Sequence, residues 1–336
     1  MANLDEIARH VLAACEGWGI DRQCVVIAHG SRVEGFANAD SDVDLWVVSP
    51  PGLTPPLLPV FEWVSGFRVQ PESLSWDSLG VLANRINALD IGRNEDVLSV
   101  SARDVDLYYR VATSIPLFGA DQADDLKRQF HCDRVASLFA RRCGIAAATE
   151  LRKAEVYRAA RDRFEESLCL QRAVEWALDS HLAANGEAYP NRKWRFEKLR
   201  RRFGTGTPLF RDAWQLKSLP PLQTLSSYRR RCYRLIRSLD VPFEPQKVAP
   251  KRLRRGEIVR VGGRTFLVVP DTAVYLLAPH GAVLWELADG QNTCDDLINR
   301  MTSAEASRRE AADIVFGWLA ECRSHGLIDL HPIDEL

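Results

Sequence analysis

No stretch of this 336-residue chain approaches the roughly 18 to 20 apolar residues that a membrane-crossing helix needs, so no transmembrane segment and no membrane partner is expected. CxxC pairs are missing as well. The eight cysteines (15, 24, 132, 143, 169, 232, 294 and 322) are scattered, most of them in apolar helical contexts where a small thiol packs as a hydrophobe. A reduced, cytoplasmic protein is the simplest reading. Neither charge is in excess: 44 Lys and Arg against 45 Asp and Glu leave a formal net charge of −1, which argues neither for nor against nucleic acid. Repeats and low-complexity segments are also absent, which sets aside solenoids and arrays.

What is present is an ordinary globular composition, 46% hydrophobic and 26% charged, in a chain long enough for two or three domains. The opening segment puts Leu4, Ile7, Ala8, Val11, Leu12 and Cys15 on one helical face, and Asp5, Glu6 and Arg9 interrupt any apolar run. That pattern predicts an amphipathic helix rather than a signal peptide.

Three textures follow one another. Residues 1–120 alternate short β-type runs ("CVVIAH", "VDLWVVS", "GFRVQPESL") with helical patterns, predicting an α/β domain with a mixed sheet flanked by helices. Residues 121–240 read as an all-α helical bundle, clearest in Phe164 to Leu182 with a stop at Asn185-Gly186. Residues 241–255, rich in proline and basic side chains, read as a linker. Residues 256–336 open with three β-type runs, "EIVRV", "RTFLVV" and "AVYLL". Three helical patterns follow, the second with Thr293 as N-cap and Asp296 at the capping-box position, the third ending at Gly326.

The chemistry is concentrated in "HGSRVEGFANADSDVDLWVVSP". "CVVIAHGS" is a buried strand entering a Gly-Ser turn, where backbone amides can approach a phosphate. In "SDVDLWVV" the strand period points Asp42 and Asp44 to one face and Val43 and Leu45 to the other. Like charges so close call for a hard divalent cation between them. Two Mg²⁺ ions between paired carboxylates and phosphates serve in-line displacement at phosphorus.

The run "GSRVEGFANADSDVDLWVV" resembles the signature of the DNA polymerase β-type nucleotidyltransferases, in the Gly-Ser-x-x-x-Gly…Ser-Asp-x-Asp-Leu form of small members such as aminoglycoside nucleotidyltransferases. The resemblance implies that Gly30 and Ser31 hold nucleotide phosphate and that Asp42 and Asp44 bind metal. It also implies a third carboxylate on a later strand, as metal ligand and base. Glu72 is chosen, sharing a strand face with Arg68 and Gln70, and Asp77 is the alternative. His29 is read as a strand-end residue without a catalytic role.

In "YPNRKWRFEKLRRRFG" seven cations fall in one span. The plain reading is a solvated helix face. The sharper one makes Lys193 a triphosphate ligand, on the similarity of its Lys-Trp pair to helical domains attached to nucleotidyltransferases. The aromatics lack the pattern of a nucleic-acid stacking platform, so nucleic acid is not an expected partner.

From about Gly256 onward, "AVYLLAPHGAVLWELADGQNTCDDLINRM" and "DIVFGWLAECRSHGLIDL" resemble the PqqD-like domains, the leader-recognition elements of pathways that modify ribosomally made peptides. A small winged-helix-like α+β domain is implied. By analogy an extended peptide would add to the edge of the third strand beside the last helix, touching Val274, Tyr275, Leu276, Ile314 and Trp318.

The expected function is Mg²⁺-dependent nucleotidyl transfer from a nucleoside triphosphate, ATP the favoured one, to a hydroxyl of a precursor peptide held by its leader. Two alternatives stand beside it: nucleotidylation of a small hydroxylated, aminoglycoside-like molecule, and a non-enzymatic peptide-binding or regulatory protein.

Overall fold

A computed structural model of the chain describes residues 4–38, 40–239, 241, 248–270, 272–302 and 307–332. In chain order these form α1 (Leu4–Gly17), β1 (Val25–His29), β2 (Val43–Ser49), β3 (Glu62–Val64), β4 (Phe67–Ser75), α2 (Trp76–Ala88), α3 (Asn94–Ser99), α4 (Ala102–Thr113) and β5 (Ile115–Phe118). Helices α5 (Ala120–Lys127), α6 (Cys132–Ala159), α7 (Arg163–Ala184), α8 (Arg195–Phe203), α9 (Pro208–Gln215) and α10 (Leu225–Ser238) follow. The last part holds β6 (Val248–Arg252), β7 (Glu257–Val261), β8 (Arg264–Val269), β9 (Ala273–Leu277), α11 (Gly281–Leu287), α12 (Cys294–Met301), α13 (Arg308–Ser324) and β10 (Ile328–Pro332).

The chain divides into two compact units. The first comprises Met1–Ile91, Asp96–Ala140 and Leu182–Arg202. The second comprises Gly92–Glu95, Arg141–His181 and Phe203–Leu336. These bounds differ from those read in the sequence, because α6 is a single helix of 28 residues that contributes its start to one unit and its end to the other. A helical period says where an apolar stripe lies, not which core it joins.

In the first unit a five-stranded mixed sheet has the order β3-β4-β2-β1-β5. Only β2 and β4 run parallel; the other pairs are antiparallel. Every residue of β1 is buried, as its unbroken apolar run requires. On one face of the sheet Val26, Ala28, Val43, Leu45, Val47 and Val69 pack with Val11 and Cys15 of α1. That packing consumes the odd positions of β2. By the period of two, Asp44 and Trp46 therefore stand on the other face, where register sets them beside His29 and Ile27 of β1.

In the second unit β7, β8 and β9 form a three-stranded antiparallel sheet in that order, and α11 to α13 follow. Thr293 and Ser307 close capping boxes with Asp296 and Glu310 at the starts of α12 and α13. Trp285, 1% exposed, lies in one core with Leu284, Leu297, Val315 and Leu319, and Ala148 and Val156 of α6 join it. Arg152 of α6, buried, pairs with Glu155 and with Asp295 of α12.

The expected linker needs correction. Residues 242–247 lie outside the described residues, but Val248–Arg252 is a strand, paired antiparallel to Ile328–Pro332. Val248 and Ala249 are fully buried. Pro250 misled the reading: its carbonyl accepts from Gly290 N–H, so its nitrogen faces residues 288–290 rather than β10, and no ladder bond to β10 is lost.

Candidate functional site

The Gly-Ser turn and the paired aspartates meet at the end of β1. Gly30 has φ +79°, a left-handed conformation, and a Cβ there would stand 3.2 Å from Asp44 Cγ and press into its Oδ2. Glycine is therefore required twice over, for the turn and for the approach of a carboxylate to the backbone. After it, Ser31 accepts the N–H groups of Phe36 and Ala37 on its carbonyl. Arg32 Nε donates to the carbonyls of Ser41 (3.0 Å) and Asp42 (3.2 Å), which pins the far end of the loop and sets where Asp42 stands.

Electrostatics at the pair follow from this packing. Burial raises the carboxyl of Asp44 above its ordinary range; Arg110 opposes the shift, Asp42 and Glu72 add to it, and Lys193 opposes it. Asp42 has its own cation, Arg68 Nη1, at 3.7 Å. Arg110 donates through Nη1 to Nδ1 of His29 (3.2 Å) and pairs with Asp106 (2.8 Å). His29 is 6% exposed, stacks on Trp46 with ring centroids 3.8 Å apart, and is pushed down to about 3 by burial and by Arg110. It is the last residue of β1, as read, its ring packed on Trp46 and bonded to Arg110 of α4.

The third carboxylate is less simply placed. Register sets Gln70, not Glu72, beside Asp44; Glu72 lies opposite Trp46 and accepts from its Nε1 at 3.2 Å. Two residues along a strand is about 6.6 Å, so Glu72 shares the face of Asp44 one step further on. Asp77 does not fit: it is exposed in the first turn of α2, beyond the opposite end of β4, about 17 Å or more along the strand from Gln70. Among the described residues no group of three or more His, Cys, Asp or Glu side chains converges as a metal cage. Asp42 and Asp44 by themselves suit a hard cation: both offer carboxylate oxygen, and Asp44 is a half-buried carboxyl whose charged form is disfavoured by desolvation and by its acidic neighbours.

The basic span is solvated at Arg192, Lys193, Arg200, Arg201 and Arg202, as its composition suggests, and buried at two positions. Lys198 is fully buried and donates to the Tyr189 carbonyl at 2.7 Å, and Arg195 is 7% exposed. Arg201 grips the buried Glu187 with two nitrogens, donates to the Glu34 carbonyl (2.6 Å), and lies 4.1 Å from the Phe36 ring centroid. Phe36 stacks in turn on Tyr189 (6.0 Å) and Trp194 (5.5 Å). This aromatic set ties the Gly-Ser loop to the turn Arg192–Trp194, and so brings Lys193 within electrostatic reach of Asp44. Arg68, Arg110 and Trp46 were not singled out in the sequence; Arg68 was visible only as a neighbour of Glu72 on its strand face, and Arg110 comes from a helix with no motif.

In the second unit the predicted peptide residues divide. Tyr275, Leu276 and Trp318 line one cleft between β9 and α13, together with Glu321, Cys322 and His325. Tyr275 meets His325 with ring centroids 5.0 Å apart. Val274 and Ile314 do not line that cleft; they are 62% and 38% exposed. Trp318, 9% exposed, is mainly core. The edge of β9 away from β8 is unpaired among the described residues, and Val274 and Leu276 are exposed along it.

Among the described residues no helix is long and apolar enough to cross a membrane. No family model matches the chain, and no curated protein does. Among solved structures it is similar to a nucleotidyltransferase-like protein from Exiguobacterium sibiricum 255-15, with 15% identity, 81% of this chain and 100% of that chain covered, and a TM-score of 0.38. So distant a likeness carries no argument about activity, and the functional reading stands on the residues.

Proposed function

We propose that the chain is a Mg²⁺-dependent nucleotidyltransferase acting on a nucleoside triphosphate, ATP first, and on a hydroxyl of a ribosomally made precursor peptide held through its leader. The observation that carries the reading is the fit of Gly30 to Asp44: a left-handed glycine laid against a half-buried carboxylate, with a second carboxylate two residues before it. A structural turn has no use for that charge; a polyphosphate site has.

Asp42 and Asp44 would hold Mg²⁺. Bound there, the metal supplies positive charge to the phosphates and to the departing pyrophosphate. Gly30 and Ser31 offer backbone N–H groups to phosphate oxygens, and Lys193 and Arg110 add charge from neighbouring elements. The acceptor O–H gives its proton to Glu72 as its oxygen bonds to the α-phosphorus and the α–β P–O bond breaks. The indole N–H of Trp46 keeps Glu72 on the same sheet face as Asp44. In the second unit, an unpaired β9 edge with apolar side chains beside a cleft supports capture of an extended peptide by strand addition, in a winged-helix-like module.

The test is mass spectrometry of the full chain incubated with Mg²⁺, each nucleoside triphosphate and the short peptides encoded beside its gene. A nucleoside-monophosphate gain on a peptide, absent with Asp44→Ala, is the expected result. No gain on any peptide would overturn it.

One observation favours a second reading. Because Gln70 and not a carboxylate sits beside Asp44, the unit is also suited to holding a nucleotide without fast chemistry, as a regulatory module. Retained biological function with Asp42 and Asp44 both changed to Ala would select that reading.

A further inference from the structure

The edge of β9 has a charged neighbour that the proposed function leaves unused. The end of β6 and the segment before β7 show Lys251, Arg252, Arg254 and Arg255 to solvent around one open cleft, whose carboxylates among the described residues are Glu257 and Asp289. Asp289 is already engaged, accepting from the backbone N–H groups of Gln291 (2.8 Å) and Asn292 (3.1 Å). None of the four cations is ion-paired with a carboxylate among the described residues. In a chain whose net charge is −1 this concentration is local.

The segment is held firmly. Arg252 N–H donates to the Ala288 carbonyl (3.2 Å), Leu253 N–H donates to the Leu327 carbonyl (2.9 Å), and a Cβ on Gly256 would collide with Leu267 and Trp285. Arg254 Nη1 donates to Thr272 Oγ1 at 3.3 Å, and Thr272 immediately precedes β9. The basic cleft thus lies at the end of the sheet where β7 begins and β8 ends and reaches the start of β9 through Arg254, while Glu321 and His325 stand in the cleft beside Leu277 at the other end of β9.

We infer that the peptide taken up on β9 carries acidic residues, Asp or Glu, at the end that lies by Thr272, ahead of an apolar stretch along the strand. This rests on the peptide-capture reading and adds the chemistry of the partner to it. Strand addition is blind to side chains along its backbone bonds, so discrimination must come from what flanks them. Four cations without a carboxylate partner among the described residues favour an acidic partner and set its direction along the edge. Nucleic acid is a poorer match, because Leu253 and Pro270 line the cleft and no aromatic ring does, which leaves no surface for stacking bases.

The experiment is selection from a random twelve-residue peptide display library on the full chain, and on Arg254→Ser/Arg255→Ser. Both sites are exposed, and circular dichroism verifies folding. Wild type should select peptides with Asp or Glu at one end and alternating apolar residues after them, and the variant should lose the acidic enrichment. A selected peptide should bind the variant about tenfold more weakly, the size of two exposed ion pairs, with the difference shrinking in high salt. Apolar peptides without acidic enrichment would overturn the inference and leave peptide capture standing. No selected peptide at all would overturn both, and tighter binding of single-stranded poly(U), lost in the same variant, would reassign the cleft to nucleic acid.

Discussion

Gly30 and Asp44 are fitted to one another, since the carboxylate occupies the space a side chain at position 30 would need. Gly30→Ala should therefore strain the turn by about 1–2 kcal/mol and displace Asp44. Nucleotide affinity, measured by isothermal titration with Mg²⁺, should fall at least about tenfold while the thermal transition stays cooperative.

Asp44 should betray its charge through stability. Its carboxyl is raised, so the folded state is favoured with the group neutral, and that stability is lost as pH rises from the ordinary 3.8 through the folded value. Without divalent cations at neutral pH, Asp44→Asn should melt higher than wild type, and the gap should close in acid. Added Mg²⁺ should raise the melting temperature of wild type and leave the variant where it was.

His29 gives the opposite slope. Its folded value near 3 lies below the ordinary 6.5, so its contribution is whole above pH 6.5 and is lost as pH falls toward 3. Wild type should lose about 1.4 kcal/mol per pH unit through this group in that window. Urea unfolding of His29→Phe should show a shallower acid limb.

Arg201 tests whether the basic span is structural. Arg201→Ala leaves the buried Glu187 without its partner and should cost about 2–3 kcal/mol, less than a fully buried pair because the guanidinium is 41% exposed. Arg202→Ala, on the same helix and exposed, should cost under about 0.5 kcal/mol. Chemical denaturation compares the two.

On β9, Val274→Lys with Leu276→Lys should leave stability within about 0.5 kcal/mol, since both side chains are exposed. Peptide-dependent turnover should fall at least about tenfold, while pyrophosphate release without peptide is unchanged.

The sequence was most legible where local chemistry decides. Strands β7, β8 and β9 coincide with the three apolar runs, and the Thr293–Asp296 capping box forms as read. The two faces of β2 separate as alternation requires, with Val43, Leu45 and Val47 in the core. Partners distant in the chain were not legible. Nothing in "RDVDLYYR" says that Arg110 will reach His29, and only the β2–β4 register shows that Gln70 stands beside Asp44. Among the cations of α8, Arg200, Arg201 and Arg202 are exposed as read, but the period of a short helix does not tell which face meets a wall, and Lys198 and Arg195 are buried.

The pairing of Val248–Arg252 with Ile328–Pro332 brings the entrance and exit of the last module side by side, Val248 opposite Pro332. Tension applied through those two ends would load the ladder one rung at a time, as a zipper rather than in shear. The module should open at low force, beginning at residue 332, before β7 to β9 give way.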